Sequence, residues 1–106
     1  MTIPEITPSE FVARRDAGED LTLLDVREDW ELGVASVPGV VHIPMGQIAS
    51  RIGELDPGKE TVVICRSGRR SLEVAKYLQQ NGLRAVNLAG GILAWSREVD
   101  ATIPTY

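Results

Sequence analysis

The single cysteine of the chain stands where an apolar run meets a basic one, in Thr61-Val62-Val63-Ile64-Cys65-Arg66-Ser67-Gly68-Arg69-Arg70-Ser71-Leu72. A thiol is a strong nucleophile only once ionised, and a helix N-terminus and nearby guanidinium groups favour its thiolate form. Successive backbone N–H groups of a small polar loop can converge into an anion-binding nest, to which the positive end of the next helix adds. These residue types in this order predict nucleophilic chemistry at Cys65 beside a bound anion, with Arg66, Ser67, Gly68, Arg69 and Arg70 forming the cradle. The competing reading of Cys65 is an inert buried thiol, which would not require three arginines and a glycine directly after it. Gly68 serves as a turn residue under either reading.

Such a loop has to be carried by a strand and followed by a helix. Thr61-Val62-Val63-Ile64 is the clearest central strand, and Ser71 to Gln80 is the best helix, with Leu72, Ala75 and Leu78 recurring every three residues and Asn81-Gly82 as its stop. Upstream, Thr7-Pro8-Ser9-Glu10 predicts an N-cap, a proline in the first turn and a capping glutamate, opening a short helix to about Gly18. Leu21 to Val26 and Val40 to Ile43 read as strands, with a helical turn at Asp29 to Leu32 between them and a weak helix over Gly46 to Ile52 after them. Ala85 to Leu88 is a last strand, and Gly90-Gly91 precedes a helix around Ile92 to Trp95. Short strands alternating with helices predict an α/β fold: a mostly parallel central sheet with helices on both faces. Such sheets place ligands at the carboxyl ends of their strands, where Cys65 falls.

A length of 106 residues with 43% apolar content predicts one domain. The net charge of −4 argues against nucleic acid as the default partner. Residues 1–56 carry −7 and residues 57–106 carry +3, so the basic loop lies in the positive half. One cysteine excludes an intrachain disulfide or thiolate metal cluster and fits a reducing, cytoplasmic setting. Neither a secretory leader nor a membrane span is expected. His42, the only histidine, lies away from Cys65 in sequence and is expected to be a satisfied or surface residue. Trp30 and Trp95 are expected to pack in the core or over it, and Tyr77 to lie on a helix surface. The tail ending in Tyr106 is expected to be exposed, packing across a neighbour or fraying.

Four ordered motifs, Asp25-Val26-Arg27-Glu28, Pro38-Gly39-Val40-Val41-His42-Ile43-Pro44, Cys65-Arg66-Ser67-Gly68-Arg69-Arg70-Ser71 and Gly90-Gly91-Ile92-Leu93-Ala94-Trp95, resemble those of the rhodanese-like domain family, and more narrowly its single-domain sulfurtransferases. The resemblance covers roughly residues 5–98 and implies a single rhodanese-like domain. It implies that Cys65 takes sulfane sulfur from a donor such as thiosulfate, holds it as a persulfide, and passes it to cyanide or a thiol, without a metal or organic cofactor. Arg66 and Arg69 would bind the anionic donor, and Arg70 would bind it or anchor the loop. Asp25, Arg27 and Ser71 would support the loop, Asp25 by accepting hydrogen bonds from it or pairing with one of its arginines. Two departures stand out: Ser36 replaces a histidine common in the family, and Arg70 stands where two-domain thiosulfate enzymes have a smaller residue.

Rival readings remain at this stage. Phosphatases and arsenate reductases of related fold resemble this chain, but their loop has five residues between cysteine and arginine, whereas Cys65 and Arg70 are separated by four. A binding module or persulfide relay serving a sulfur-acceptor protein keeps the same loop. Thiol redox signalling would need an external resolving thiol, since the chain has none.

Overall fold

Apolar runs without a polar face must be covered on both sides, and that requirement organises the whole molecule. A computed structural model describes residues 2–106. In chain order the elements are β1 (Glu5–Ile6), α1 (Pro8–Asp16), β2 (Leu21–Asp25), α2 (Asp29–Val34), β3 (Val41–His42), α3 (Ile48–Arg51), β4 (Glu60–Ile64), α4 (Arg69–Gln80), β5 (Ala85–Leu88) and α5 (Gly91–Glu98). Single 3-10 turns at Met45–Gln47 and Ile52–Glu54 flank α3. The strands form one sheet in the order β1-β5-β4-β2-β3, and every pairing is parallel.

Side chains alternate across the sheet with the period of two that a strand imposes. On one face, Leu24, Val63 and Cys65 pack with Ile48 of α3 and with Val74, Ala75 and Leu78 of α4. On the other, Leu23, Val62, Ile64, Val86 and Leu88 pack with Phe11 of α1 and with Ile92 and Trp95 of α5. The expected α/β architecture is therefore present as a single domain, and its sheet is wholly parallel. Trp95 is 3% exposed against Phe11, whereas Trp30 stands 65% exposed.

The sequence reading missed β1. Two residues between Pro4 and the Thr7 cap carry no periodicity, and Glu5–Ile6 become a strand only by pairing with Asn87 and Leu88. The β3 strand is also shorter than the predicted Val40–Ile43, and α4 begins two residues earlier than Ser71. That last shift moves Arg69 and Arg70 out of the loop and into the first turn of a helix. The capping box on α1 forms as its sequence predicts, the Thr7 hydroxyl accepting from the Glu10 N–H and the Glu10 carboxylate accepting from the Thr7 N–H. Among the described residues no helix is long and apolar enough to cross a membrane.

The strand order places a crevice. After β2 the chain moves outward to β3, and after β4 it moves the opposite way to β5, so the switch point lies between β2 and β4 at their carboxyl ends. Cys65 leaves one of these strands and Asp25 ends the other, with Asp25 paired to Ile64 in register.

Leu24 is fully buried in β2. Replacing it with alanine is expected to cost about 2–5 kcal/mol of folding stability, read from urea denaturation; a loss under about 1 kcal/mol would show that the sheet face is not packed as described.

Candidate active site

Cys65 follows β4 directly and is 1% exposed. Its Sγ accepts the Gly68 N–H at 3.0 Å, and the main-chain N–H groups of Ser67 and Ser71 add to the stabilisation of its charged form. The Ser71 hydroxyl lies 3.3 Å from the sulfur. Burial pushes the thiol up, but the Ser71 hydroxyl and the three backbone N–H groups outweigh it and hold the thiol below its ordinary value. The sequence reading assigned this effect to the helix N-terminus and the arginines. The Ser71 N–H, in the first turn of α4, supplies the former; the remainder comes from the loop backbone and a hydroxyl, while Arg66 and Arg70 are engaged elsewhere and Arg69 stands exposed.

The loop adopts this shape because α5 pulls on its carbonyl groups. The first N–H groups of a helix have no partner within it, and here Ile92 donates to the Cys65 carbonyl at 2.8 Å and Leu93 to the Arg66 carbonyl at 3.2 Å. In a trans peptide the C=O and the following N–H point in opposite directions, so drawing the Arg66 carbonyl toward α5 turns the Ser67 N–H toward the sulfur. The approach is close enough to demand glycine. A Cβ on Gly91, whose φ is +58°, would stand 2.4 Å from the Cys65 oxygen and 2.5 Å from that of Arg66. Gly68 caps α4 at a φ of +101°, in the left-handed region that glycine enters freely.

Behind the sulfur, Ser71 Oγ donates to Asn87 Oδ1 at 2.5 Å. The Asn87 amide in turn donates to Glu5 Oε2 at 2.7 Å and to the Gly68 carbonyl at 3.1 Å. Asn87 and Glu5 were not singled out from sequence. One signal existed for Asn87: a polar residue within Ala85-Val86-Asn87-Leu88, a strand buried throughout, must find partners.

The charged residues sort differently from expectation. Asp25 does not hold the loop or pair with a loop arginine. Fully buried, it takes Arg27, whose Nε and Nη2 reach both carboxylate oxygens at 2.8–3.1 Å, while the Arg27 N–H adds a bond at 3.0 Å. Only Val26 separates them, so local geometry wins over a partner on another strand. Arg27 further donates to the Ala35 carbonyl at 2.8 Å and the Tyr106 hydroxyl at 2.9 Å.

Arg70 pairs with Glu31 of α2, at 2.6 and 2.9 Å, which anchors the start of α4 to the other side of the crevice. Arg66 is exposed, its guanidinium 5.2 Å from the Tyr106 ring centroid and hydrogen-bonded to the Tyr106 main-chain oxygen. Arg69 is exposed on α4 and holds no salt bridge among the described residues.

Tyr106 neither frays nor stands free. Its hydroxyl donates to Glu31 at 2.6 Å, and its ring meets Trp30 edge-on at 6.2 Å between centroids. Neither Glu31 nor Tyr106 was identified as a site residue from sequence, since each is far along the chain from its partners. His42 Nε2 lies 2.7 Å from the Arg27 carbonyl, and Ser36 is exposed; neither is bonded to the sulfur.

The chain matches the rhodanese-like domain over residues 7–98. It belongs to the rhodanese-like domain family. It is 46% identical over 98 residues to YtwF of Bacillus subtilis, covering 92% of this chain and 95% of that one. It is 40% identical over 91 residues to a protein of Allochromatium vinosum named as a sulfurtransferase, covering 84% and 85%. Among solved structures, a rhodanese-like domain protein from Staphylococcus aureus superposes with a TM-score of 0.85 at 29% identity, covering 98% of this chain and 99% of that one. The single buried cysteine in its N–H cradle is consistent with a sulfurtransferase-type mechanism in this rhodanese-like fold.

Two predictions follow from the site's supports. Glu31 is 3% exposed, and its carboxyl is pulled down to about 2, first by the Arg70 guanidinium and against its burial, with help from the Tyr106 hydroxyl and the Glu28 N–H. A carboxyl lowered by folding stabilises above its unfolded value and loses that contribution as pH falls through the folded one. Wild type is therefore expected to lose up to roughly 3 kcal/mol between about pH 4.5 and 2 through this group, less for solvent screening on the Arg70 side. Denaturant titrations of Glu31→Gln should show a correspondingly flatter acid limb, and equal slopes would refute the pairing. Gly91→Ala is expected to lower stability by at least about 1–3 kcal/mol and to raise the Cys65 thiol toward its ordinary value, measured by thiolate absorbance against pH.

Proposed function

We propose that this protein is a sulfurtransferase, moving sulfane sulfur from a small anionic donor such as thiosulfate through a persulfide on Cys65 to cyanide or a thiol acceptor. The observation that carries this reading is the buried Cys65 sulfur accepting the Gly68 N–H at 3.0 Å, in a loop with four residues between cysteine and Arg70. The relative from Allochromatium vinosum, named as a sulfurtransferase, supports it.

In the first step the Cys65 thiolate attacks the outer sulfur of thiosulfate. The new Sγ–S bond forms as the donor's S–S bond breaks, and its electron pair leaves with sulfite. The outer persulfide sulfur now carries the negative charge, and loop N–H groups aimed at the sulfur suit both the thiolate and this product. In the second step the acceptor attacks that outer sulfur, and the electron pair of the Sγ–S bond returns to Cys65 as thiolate. Cyanide leaves as thiocyanate; a thiolate acceptor leaves as its persulfide.

Arg69, exposed beside the loop, and Arg66 supply positive charge for the donor dianion. Arg70 acts through its pair with Glu31, which fixes where α4 begins and so where the Ser71 N–H and hydroxyl stand. The short loop favours sulfur over a phosphoryl group, whose tetrahedral anion needs a wider cradle.

The test is formation of thiocyanate from thiosulfate and cyanide by reduced protein, beside Cys65→Ala and with 3-mercaptopyruvate as a second donor. Turnover with thiosulfate that is abolished in Cys65→Ala is expected. Folded, reduced protein that turns over neither donor would overturn the small-molecule reading and direct attention to persulfide delivered by a partner protein. Arg69→Ala should raise KM for thiosulfate about 5–50-fold, as for a lost charge-assisted contact, with a smaller effect on kcat.

A further inference from the structure

Once Cys65 is ionised, the Ser71 hydroxyl has one proton and two acceptors for it. Asn87 Oδ1 lies at 2.5 Å and Cys65 Sγ at 3.3 Å. Asn87 cannot turn its amide to donate instead, because Nδ2 is committed to the Glu5 carboxylate at 2.7 Å and the Gly68 carbonyl at 3.1 Å. Reversing the amide would set Oδ1 against both of those acceptors. Ser71 and Asn87 are 0% and 1% exposed, so bulk water does not relieve the competition.

We infer that Glu5 and Asn87 are positioning residues for the Cys65 nucleophile: Glu5 locks the Asn87 amide, and Asn87 draws the Ser71 proton away from the sulfur. The loop N–H groups then carry most of the sulfur's charge, and the Ser71 hydroxyl lends only the share of its proton that Asn87 leaves. The chemical advantage lies in nucleophilicity, which falls as a thiolate is made more stable. A sulfur that must attack a donor and later be regenerated gains from being ionised without being over-stabilised. Other charges around Cys65 are Arg66, Arg69 and the Arg70–Glu31 pair, with Asp25–Arg27 at the end of the adjoining strand. All of these are left intact by the substitutions below.

The inference rests on the proposed function only in taking Cys65 as the reacting group, and its test does not require sulfur transfer. Because Cys65 is the only cysteine, thiolate absorbance near 240 nm against pH, with Cys65→Ala as blank, reports its ionisation alone. Asn87→Ala and Glu5→Gln are each measured with Ser71 present and in a Ser71→Ala background. With Ser71 present, Asn87→Ala is expected to lower the midpoint by about 1–2 pH units, the worth of one hydrogen bond to a charged group. Glu5→Gln, whose new amide can donate to a reversed Asn87, should lower it by about 0.3 unit or more on the same basis. In the Ser71→Ala background both shifts should shrink to within about 0.2 unit, the non-additivity of groups acting through one another.

A midpoint that stays or rises with Ser71 present would overturn the inference. So would a shift of equal size in both backgrounds, which would mark through-space charge or a loosened loop. Glu5 is exposed, so Glu5→Gln decides the matter should Asn87→Ala fail to fold. Absence of thiocyanate formation would overturn the proposed substrate and leave these titrations intact.

Discussion

A negatively charged sulfur at 1% exposure depends on donors that the chain itself must aim at it. Main-chain N–H groups can be aimed only if the carbonyl groups on the same peptides point elsewhere and find partners. Here those partners are the first N–H groups of α5, which take the carbonyls of Cys65 and Arg66. One set of bonds thus satisfies a helix end and the back of a loop together. The helix is fixed in turn by Trp95 and Ile92, which pack against Phe11 and β4. The polarity of the site is inherited from the placement of an apolar helix.

Around that loop lies a second, ionic layer. Asp25 and Arg27 are both fully buried, a placement that by itself contributes little to stability, because desolvation offsets attraction. Their value is geometric: Arg27 gathers the end of β2, the Ala35 carbonyl and Tyr106. Glu31 then joins Tyr106 to Arg70 and hence to α4. The two strands at the switch point are tied across the crevice through side chains as well as through their ladder.

Much of the fold was legible because its signals are local. The Thr7 capping box, the strand before Cys65, the helix to Gln80 and the Gly90-Gly91 break each depend on neighbours within a few residues. Where elements were missed or misplaced, stability comes from elsewhere in the chain. The two-residue β1 exists by pairing with β5, some eighty residues on. The early start of α4 depends on Arg70 reaching Glu31, a contact invisible from either segment alone.

The sequence by itself determined the kind of chemistry: one cysteine, an apolar strand to carry it, and a small basic loop to receive an anion. Those are properties of residue type and adjacent order. Tertiary structure alone decided which groups serve the sulfur and which only hold the frame. It gave Asp25 to Arg27, Glu31 to Arg70 and the tail's Tyr106 to both networks, and it placed Asn87 and Glu5 behind Ser71. The physical reason is that hydrogen bonds act over about 3 Å, whereas these partners are separated by up to 82 positions in sequence, a distance only the folded sheet removes.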